Sequence, residues 1–598
     1  MILARRPPLH KAPFRGLVRL SSRLTRAHVR IYPDKTSRTP ITSFCLLLLL
    51  LLVVAPLRAA ERPPAAAVAS AHPLATAAGL EILKAGGNAF DAAVAVSAAL
   101  AVVEPYSSGL GGGGFWLLHR ARDGREIVID GRERAPQAAR PDMYLDAHSA
   151  IIPNRSLDGP LAAAIPGEPA ALAHLAAHYG RLRLARSLAP AIRYAREGYE
   201  VNEHYAHLAQ FRRDTLNAAP SAAQQFLING AAPTPGTRLR QPDLAATLDT
   251  LARQGAAGFY RGELAARLIA GVRAAGGNWT RADLANYKII ERAPLRGDYR
   301  GLRITTVAPP SSGGVVLLEM LNMLSGYDLA TLDALTRTQV EIEVMRRAYR
   351  DRAAYLGDPD FVTMPLPMLL SRDYAAGLRA SIRLDRATPS ASLPGAVNAE
   401  PAGHDTTHFS IIDREGNWVA ATLSINYPFG SGFVAPGTGV LLNDEMDDFS
   451  AKPGVPNAYG LIGAEANAIA PGKRPLSSMT PTFVSGPRGV AILGTPGGSR
   501  IISMVLLGVL DVAADKSAQQ CVAQPRFHHQ FLPDVVEYEP NAFDAATVAG
   551  LEKLGHHLKA LTEPYGNMQM VFWDKKLNRV TAASDPRGNG SAQVDRSN

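Results

Sequence analysis

The sequence has little cysteine: two of its 598 residues, Cys45 and Cys521, carry a thiol. Two cysteines are too few for a disulfide framework, and Cys45 lies inside an apolar run that we expect to be removed. Cys521 has Gln520 and Val522 as neighbours, neither of which is a base that could activate a thiolate. The sequence therefore argues against both an intramolecular bridge and a cysteine nucleophile.

Acidic residues are almost absent from the first 60 positions, where eleven Lys and Arg accompany one acid, Asp34. This surplus equals the formal net charge of the whole chain, +10, so residues 61–598 are close to neutral. The basic residues precede no recognition module, which argues against nucleic acid as a partner. Steering of anionic substrates by net charge has equally little support.

Long apolar runs are also scarce, and the one at Phe44–Leu57, with seven consecutive leucines, is shorter than the roughly 20 residues a membrane-spanning helix needs. Its length is typical of a signal-peptide core, and Arg58-Ala59-Ala60 supplies small residues for cleavage. We predict that residues 1–60 are a signal peptide with a long basic region and that the protein is periplasmic or secreted. An uncleaved anchor or a misassigned start codon is the alternative.

A glycine-rich loop, Gly109–Gly114, contains G-x-G-x-x-G, but no Gly-Lys-Ser/Thr follows. The spacing of apolar residues predicts helices at Pro73–Lys84 and Asn88–Val103 before the loop and a strand at Phe115–His119 after it. A dinucleotide site needs the opposite order, strand then helix. The pattern favours a tight backbone turn packed against a neighbouring strand.

The central part of the chain, residues 160–380, has helical periodicity and no internal repeat. The clearest segments are Leu161–Tyr179, Leu244–Leu251 and Leu317–Tyr355, whose charges resemble those of a solvated surface. We interpret this part as scaffold. The Pro-, Ala-, Ser- and Gly-rich stretch Thr388–His404 is the best candidate for a boundary or a processing loop.

After this stretch the pattern becomes that of a β-hairpin. An alternating strand begins at Thr406, a turn at Arg414–Asn417 follows, and a second strand runs over Trp418–Asn426 with Val419, Ala421, Leu423 and Ile425 on one face. If the bond between Asp405 and Thr406 is cut, the Thr406 hydroxyl gains its own α-amine as a general base. Thr and Ser are also ordinary strand residues, so the hairpin alone does not establish an active site.

Six motifs in this sequence resemble those of the γ-glutamyltransferases, a family of N-terminal-nucleophile hydrolases. They are Gly109–Gly114, Asp130–Glu133, Asp405–His408, Asn443–Phe449, Arg474–Met479 and Thr495–Arg500, and the similarity runs from about Ala67 to Arg587. The resemblance implies that the chain cuts itself between Asp405 and Thr406, and that Thr406 is then the nucleophile.

The resemblance also implies roles for neighbouring residues. Ser424 takes the place of a Thr common in the family and would bond the Thr406 amine less rigidly. Gly497 and Gly498 would offer two backbone N–H groups to an oxyanion; without the family match they would be a plain turn after a strand at Val490–Leu493.

A γ-glutamyl donor carries an α-carboxylate and an α-ammonium, and the family's motif positions assign a group to each. Arg132 would bind the carboxylate as a bidentate fork, assisted by Ser477 and Ser478. The ammonium acceptors would be Asn426, Glu445 and Asp448. Tyr459 would cover the donor as part of a lid at Ala451–Lys473. From the residues alone, Arg132 and Glu445 would instead be surface ion-pair partners.

The fold implied is α+β: a four-layer αββα sandwich formed by a large subunit, residues 61–405, and a small catalytic subunit, residues 406–598. The activity implied is that of a γ-glutamyltransferase or glutathione hydrolase, which transfers a γ-glutamyl group to Thr406 and then to water or to an amino acid or peptide acceptor. No cofactor and no metal are implied, and His528 and His529 are interpreted as structural. Two alternatives stay open: a glutaryl (cephalosporin-type) acylase of the same fold, and a non-catalytic secreted binding protein.

Overall fold

A computed structural model describes residues 61–393 and 406–596. The predicted signal peptide, residues 1–60, and Asp405 lie outside the described residues. No helix within the described ranges has the length and hydropathy needed to cross a membrane.

Short, mostly buried strands make up the β structure of the described residues. Numbered along the chain, they are β1 Ala66–Ser70, β2 Gly113–Arg120, β3 Arg125–Gly131, β4 Tyr199–Glu200, β5 Arg238–Leu239, β6 Ile290–Arg292, β7 Leu295–Tyr299, β8 Leu302–Thr306, β9 Thr407–Ile412, β10 Trp418–Ser424, β11 Thr482–Gly486, β12 Gly489–Gly494, β13 Phe527–His528, β14 Val536–Tyr538, β15 Leu558–Ala560, β16 Gln569–Asp574, β17 Arg579–Ser584 and β18 Ser591–Asp595.

Helices occupy much of the region before residue 393. They are α1 Pro73–Lys84, α2 Ala89–Val103, α3 Glu168–His178, α4 Leu184–Glu197, α5 Glu203–Phe211, α6 Arg213–Asn217, α7 Pro220–Phe226, α8 Pro242–Gln254, α9 Ala256–Tyr260, α10 Gly262–Ala274, α11 Arg281–Ala285, α12 Gly313–Leu324, α13 Ala334–Tyr355, α14 Leu366–Leu369, α15 Arg372–Ala380, α16 Ile501–Ala513, α17 Ala518–Ala523 and α18 Ala545–Leu554. Short 3₁₀ turns at Glu445–Asp448 and Gly498–Arg500 belong to the site described below.

Two large antiparallel sheets organise these elements. One has the strand order β18-β1-β9-β10-β2-β3-β6, and the other has the order β17-β16-β12-β11-β8-β7. Strand β9, which starts just after Thr406, pairs with β1 on one side and β10 on the other. The residue predicted to be the nucleophile therefore precedes a strand in the interior of the first sheet.

The faces of the sheets explain the apolar patterns of the strands. A buried cluster joins Phe115 and Trp418 of the first sheet to Phe483 and Trp573 of the second, and the Trp418 and Phe483 rings lie 5.5 Å apart. A second cluster packs α1 and α2 against the opposite side chains of β9 and β10, and a third packs α12, α13 and α16 against β11, β12 and β16. The protein thus has a mixed α+β fold in which burial on both faces of each sheet holds the strands.

The local sequence predictions are confirmed near the site. The hairpin forms with Trp418 opposite Ile412 and Thr422 opposite His408, and helices form at Pro73–Lys84 and Ala89–Val103. In the glycine-rich loop, a Cβ at Gly112 would lie 2.1 Å from the Ser424 carbonyl oxygen. The loop is glycine-rich because its backbone touches the end of β10, as the interpretation as a tight turn required.

One expectation for the scaffold is wrong. The charges of the segment Leu317–Tyr355 do not form a solvated surface, because Glu319, Glu343, Arg346 and Arg352 are buried. The segment is two helices, α12 and α13, and charged side chains of α13 form ion pairs and hydrogen bonds with residues distant in sequence, such as the ion pair of Arg346 with Asp534. Burial of a charge is tolerated when a partner of opposite charge or a hydrogen bond compensates it.

Candidate active site

Thr406 is the first described residue after position 393, and it is buried with 6% of its surface exposed. The strand that follows it, β9, holds it at the edge of a small cavity of about 20 Å³. Asp405, the other partner of the predicted scissile bond, lies outside the described residues. The position of Thr406 is therefore fixed by a central strand on its C-terminal side.

The small cavity gathers nearly all residues that the sequence predicted for the site. Those lining it are Arg132, Thr406, Ser424, Asn426, Glu445, Asp448, Tyr459, Ser477, Ser478 and Gly498, together with Leu461, Met479, Ser499 and Ile501. Gly497 lines the neighbouring cavity, which also contains Thr406. Residues from seven separate stretches of sequence, one of them that of Thr406, thus line one cavity.

Arg132 lies fully buried just after β3, among three carboxylates. Its Nη1 is 2.7 Å from Glu445 Oε2 and 3.3 Å from Glu133 Oε2, and its Nη2 is 2.5 Å from Asp448 Oδ2. Its Nε donates to the Pro475 carbonyl oxygen at 3.2 Å. The structure therefore pairs Arg132, the predicted carboxylate-binding group, with Glu445 and Asp448, two of the predicted ammonium-binding groups. These ion pairs are buried and do not lie at the surface.

The charges in this cluster do not cancel. Burial disfavours the charged guanidinium, but Glu445, Glu133 and Asp448 outweigh it and raise the pKa of Arg132. Burial also raises the pKa of Glu133 to about 7 and that of Glu445 well above its usual range, against the pull of Arg132. Three carboxyls sharing one guanidinium leave a surplus of negative charge that a bound cation or a proton would neutralise.

Asn426 connects the end of β10 to this cluster. Its backbone N–H donates to Ser424 Oγ at 2.8 Å, and its side-chain Nδ2 donates to the Asp444 carbonyl oxygen at 3.1 Å. The backbone is left-handed, with φ 74°, which an asparagine tolerates better than most residues. These bonds fix the orientation of the Asn426 side-chain amide. Its oxygen, Oδ1, is the atom of this side chain that can accept a hydrogen bond from a ligand.

Ser477 and Ser478 lie on an extended segment held from both sides. Ser477 Oγ accepts from the Met479 N–H at 3.1 Å, and the Ser477 carbonyl accepts from the Ser312 N–H at 2.8 Å. Ser478 Oγ accepts from Arg352 Nη2 at 3.1 Å. A buried arginine from α13 thus orients one of the two serines predicted to bind the donor carboxylate.

Gly497 and Gly498 precede the N-terminus of α16 through a 3₁₀ turn. Their φ values are 139° and 55°, a region that favours glycine. A Cβ at Gly498 would lie 2.5 Å from the Tyr459 ring, and one at Gly497 would lie 2.5 Å from Met504 Cε. The backbone can come this close to its neighbours because there is no side chain, and N–H groups at a helix start favour negative charge.

Tyr459 lies over the cavity and is 5% exposed. Its hydroxyl donates to the Asn426 carbonyl oxygen at 2.6 Å, and its own carbonyl accepts from Gln530 Nε2 at 3.2 Å. The preceding residue is also held, since the Ala458 N–H donates to Asp447 Oδ2 at 2.9 Å. The predicted lid is therefore closed, which explains why the cavity has room for about one water molecule.

Four residues at the site were missed by the sequence reasoning: Glu104, Glu133, Arg352 and Asp447. Glu133 follows Arg132 in the quoted motif, and Asp447 lies inside another, so their positions were a signal. The sequence gave no such signal for Arg352 and Glu104. The partner of Arg352, Ser478, is 126 residues away, and the partner of Glu104, Thr407, is 303 residues away.

The two adjacent histidines are structural in this arrangement. His528 bonds Ser503 Oγ at 2.8 Å and Gln530 Oε1 at 3.0 Å, while His529 bonds Asp534 Oδ1 at 3.1 Å and the Phe531 N–H at 3.1 Å. All four ring nitrogens therefore have protein partners. Within residues 61–393 and 406–596, no group of three or more His, Cys, Asp or Glu is placed to hold a metal ion.

Comparisons with known proteins agree with this geometry. The sequence model of the family described as Gamma-glutamyltranspeptidase matches residues 75–594. The chain is 44% identical over 540 residues to the glutathione hydrolase proenzyme of Pseudomonas sp. (strain A14), covering 87% of this chain and 92% of that protein.

The chain is also similar to solved structures, of which two are described here by name. Cephalosporin acylase from Bacillus halodurans aligns with a TM-score of 0.78 and 30% identity, covering 90% of this chain and 97% of its own. Helicobacter pylori gamma-glutamyltranspeptidase aligns with a TM-score of 0.53 and 38% identity, and covers 54% of this chain with 93% of its own.

Proposed function

The chain belongs to the gamma-glutamyltranspeptidase family, and from that premise we propose that it is a glutathione hydrolase that activates itself by cleavage before Thr406. The enzyme forms a γ-glutamyl ester on Thr406 and passes the acyl group to water or to an amino acid or peptide acceptor. The observation that carries the proposal is the convergence of ten predicted residues on the cavity at Thr406.

Maturation follows from the chemistry of an internal threonine. Thr406 Oγ attacks the carbonyl carbon of Asp405, the C–N bond breaks, and the resulting ester is cleaved by water to release the Asp405 carboxylate. The freed α-amine has a reference pKa of about 7.7–8.0, so a useful fraction is neutral near pH 7. Cleavage thus creates the base that the nucleophile lacked.

In turnover, the Thr406 amine takes the hydroxyl proton while Oγ bonds the γ-carbonyl carbon of glutathione. The tetrahedral oxyanion lies against the N–H groups of Gly497 and Gly498. The amide C–N bond then breaks, and the leaving cysteinylglycine amine receives the proton. Water then gives a proton to the Thr406 amine and attacks the ester carbonyl carbon, the bond from that carbon to Thr406 Oγ breaks, glutamate leaves, and the proton returns to Thr406 Oγ. Ser424 supports the Thr406 amine through its hydroxyl.

Donor recognition is an exchange of ion pairs. The donor's α-carboxylate binds Arg132, with Ser477 and Ser478 as further donors, and its α-ammonium binds Glu445, Asp448 and the Asn426 side-chain oxygen. Because a zwitterion brings both charges, it can separate the Arg132–Glu445 and Arg132–Asp448 pairs without leaving either partner uncompensated. Opening of the lid at Tyr459 precedes binding, because the closed cavity is too small for a glutamyl group.

An acylase that cleaves glutaryl amides is the main alternative, and the B. halodurans acylase is structurally similar. A glutaryl group has no ammonium. The surplus of carboxylates around Arg132 favours a donor that carries an ammonium group, and so favours the γ-glutamyl substrate. Turnover of matched γ-glutamyl and glutaryl anilides would decide, and faster cleavage of the glutaryl compound would reject our assignment.

The rest of the architecture follows from the same proposal. The buried clusters on both faces of each sheet support a four-layer αββα sandwich, built from a large subunit of residues 61–405 and a small subunit of residues 406–598. Residues 1–60 act as a signal peptide, and the mature enzyme is periplasmic or secreted.

An intact mass of the purified protein under denaturing conditions, paired with a glutathione assay, tests the proposal. Two chains are expected, the smaller beginning at Thr406. Thr406→Ala should remain one chain and show no turnover, and a Thr406→Ala protein that still splits would place the nucleophile elsewhere. If the unmodified protein is a single uncut chain without glutathione turnover, a non-catalytic binding protein becomes the better interpretation.

A further inference from the structure

One buried arginine beside the site lacks a carboxylate partner. Arg352, near the C-terminal end of α13, is 5% exposed, and within residues 61–393 and 406–596 no Asp or Glu oxygen lies within 4 Å of its guanidinium nitrogens. Every other buried arginine of these ranges forms such an ion pair, for example Arg346 with Asp534 and Arg526 with Asp585. Removing a charge from water is costly unless an opposite charge compensates it. Arg352 is therefore the exception whose charge a bound anion would stabilise.

The hydrogen bonds of Arg352 lead to the predicted carboxylate site. Its Nε donates to Ser312 Oγ at 2.9 Å, and its Nη2 donates to Ser478 Oγ at 3.1 Å. The Ser312 hydroxyl in turn donates to the Ser477 carbonyl oxygen at 2.7 Å. Ser477 and Ser478 line the donor cavity, and Arg352 lies behind them. The arginine thus holds both serines, one directly and the other through Ser312.

The bond from Arg352 also decides which way the Ser478 proton points. A guanidinium donates hydrogen bonds and accepts none, so Ser478 Oγ must be the acceptor of this bond. The single proton of the Ser478 hydroxyl is then left to be donated in another direction. The same holds for Ser477, whose Oγ accepts from the Met479 N–H at 3.1 Å. Both serines can therefore meet a carboxylate as donors, and the charge of Arg352 strengthens the bond that Ser478 makes.

The charges around Arg352 favour the same partner. Burial lowers the pKa of Arg352, against the attraction of Asp448, which makes its contact with Arg132 instead. The guanidinium is still charged near neutrality, because the pKa of an arginine starts at about 12.5 or higher. When a donor ammonium binds Asp448, as proposed above, the attraction of Asp448 for Arg352 is weakened. A donor carboxylate at Ser478 would supply the opposite charge in its place.

We propose that Arg352 is a specificity-determining positioning residue, which acts through Ser478 to make the enzyme select donors that carry an α-carboxylate. This inference rests on the proposed function and adds to Arg132 a second cation that does not touch the donor. A donor with hydrogen in place of the carboxylate leaves Arg352 without an opposite charge and Ser478 without an acceptor. Discrimination against such a donor therefore depends on Arg352.

Two donors that differ by the carboxylate alone test this role. They are γ-glutamyl p-nitroanilide and 4-aminobutyryl p-nitroanilide, which keeps the amine and has hydrogen in place of the carboxylate. Arg352→Met removes the charge and keeps an unbranched side chain. We expect kcat/KM for the glutamyl donor to fall at least about tenfold more than kcat/KM for the aminobutyryl donor. Arg352→Lys, which restores the charge, should recover part of this preference.

The matched control is Arg337→Met, at the other end of α13, which removes an ion pair with Glu341 and should leave the ratio of the two donors unchanged. Equal losses on both donors in Arg352→Met would overturn the proposal, because a role in folding alone affects both donors alike. An Arg352→Lys enzyme as unselective as Arg352→Met would overturn the role of the charge.

A double-mutant cycle tests the route through Ser478 and needs the glutamyl donor alone, so it decides even where the aminobutyryl donor is cleaved too slowly to measure. The loss in kcat/KM caused by Arg352→Met should be at least about fivefold smaller in a Ser478→Ala enzyme than in the unmodified one. Equal losses in the two backgrounds would overturn the route. If Arg352→Met stays uncut, Arg352→Lys takes its place in the cycle. If the unmodified protein cleaves neither γ-glutamyl p-nitroanilide nor glutathione, the proposed function itself fails.

Discussion

The phenol of Tyr459 donates a hydrogen bond to the backbone carbonyl of Asn426 at 2.6 Å, so the predicted lid is bonded to the chain two residues after β10, the strand that pairs with β9. The same tyrosine ring occupies the space next to Gly498. One side chain therefore contacts the predicted lid, the predicted ammonium site and the predicted oxyanion hole.

Removing this hydroxyl should loosen the lid without emptying the cavity. We expect Tyr459→Phe to raise the KM for glutathione by about fivefold, since one hydrogen bond contributes about 1 kcal/mol, with a smaller effect on kcat. Steady-state kinetics would show the change. Tyr355→Phe, at the C-terminal end of α13, is the control, and equal kinetics for Tyr459→Phe and the control would mean that this bond does not restrain the lid.

A single methyl group at Gly498 should have a larger effect. Gly498→Ala places a Cβ 2.5 Å from the Tyr459 ring at a φ of 55°, so the backbone must shift and its N–H must leave the oxyanion position. We expect kcat to fall by about 100-fold or more, the loss typical of a missing oxyanion donor.

The control for Gly498→Ala is Gly377→Ala, where a Cβ meets no atom within 4 Å. It should keep full activity. A Gly498→Ala enzyme with unchanged kcat would show that this amide does not contact the reacting carbonyl.

Arg132→Lys should separate donor binding from maturation. A lysine cannot maintain contacts with Glu445, Asp448 and the Pro475 carbonyl at once, because a point charge replaces a planar fork. We expect the KM for glutathione to rise at least about tenfold while mass spectrometry still shows two chains. Arg125→Lys, at the exposed start of β3, should match the unmodified enzyme, and an uncut Arg132→Lys protein would assign Arg132 to folding.

The roles of the site residues were predicted from the family resemblance, whereas the local sequence by itself predicted the hairpin and the glycine turn beside them. The hairpin from Thr407 to Ser424 and the glycine contacts of Gly112 follow from alternation and from the lack of a Cβ, which are properties of neighbouring residues. The pairing of β1 with β18 joins residues more than 500 positions apart, and no local pattern encodes it.

The sequence failed mainly to predict which charged residues are buried, because their partners are also distant in sequence. Arg352 resembles a surface residue of α13 until the fold brings it to Ser478, and Glu104 resembles a helix end until it meets Thr407. Whether such a charge lies in water or in the interior depends on partners that tertiary structure alone supplies.

Glu104 should make stability depend on pH, and the sign follows from its environment. Its pKa is raised from 4.5 to about 7, chiefly by burial, so the folded protein holds this proton more tightly than the unfolded chain does. The stability from this proton is fully present below about pH 4.5 and is lost as the pH rises through 7. A shift of this size corresponds to about 3 kcal/mol between the two limits.

Glu104→Gln removes the titrating group while keeping the shape of the side chain, with one amide oxygen to accept from a hydroxyl and one NH2 group to donate to the other. We therefore expect the fall in Tm between pH 5 and pH 7.5 to be smaller in Glu104→Gln than in the unmodified protein, because every other group titrates equally in both. Glu552→Gln, at an exposed position of α18, should keep the original dependence. If thermal unfolding gives parallel curves for Glu104→Gln and the unmodified protein, the Glu104 carboxyl is not held protonated by its burial.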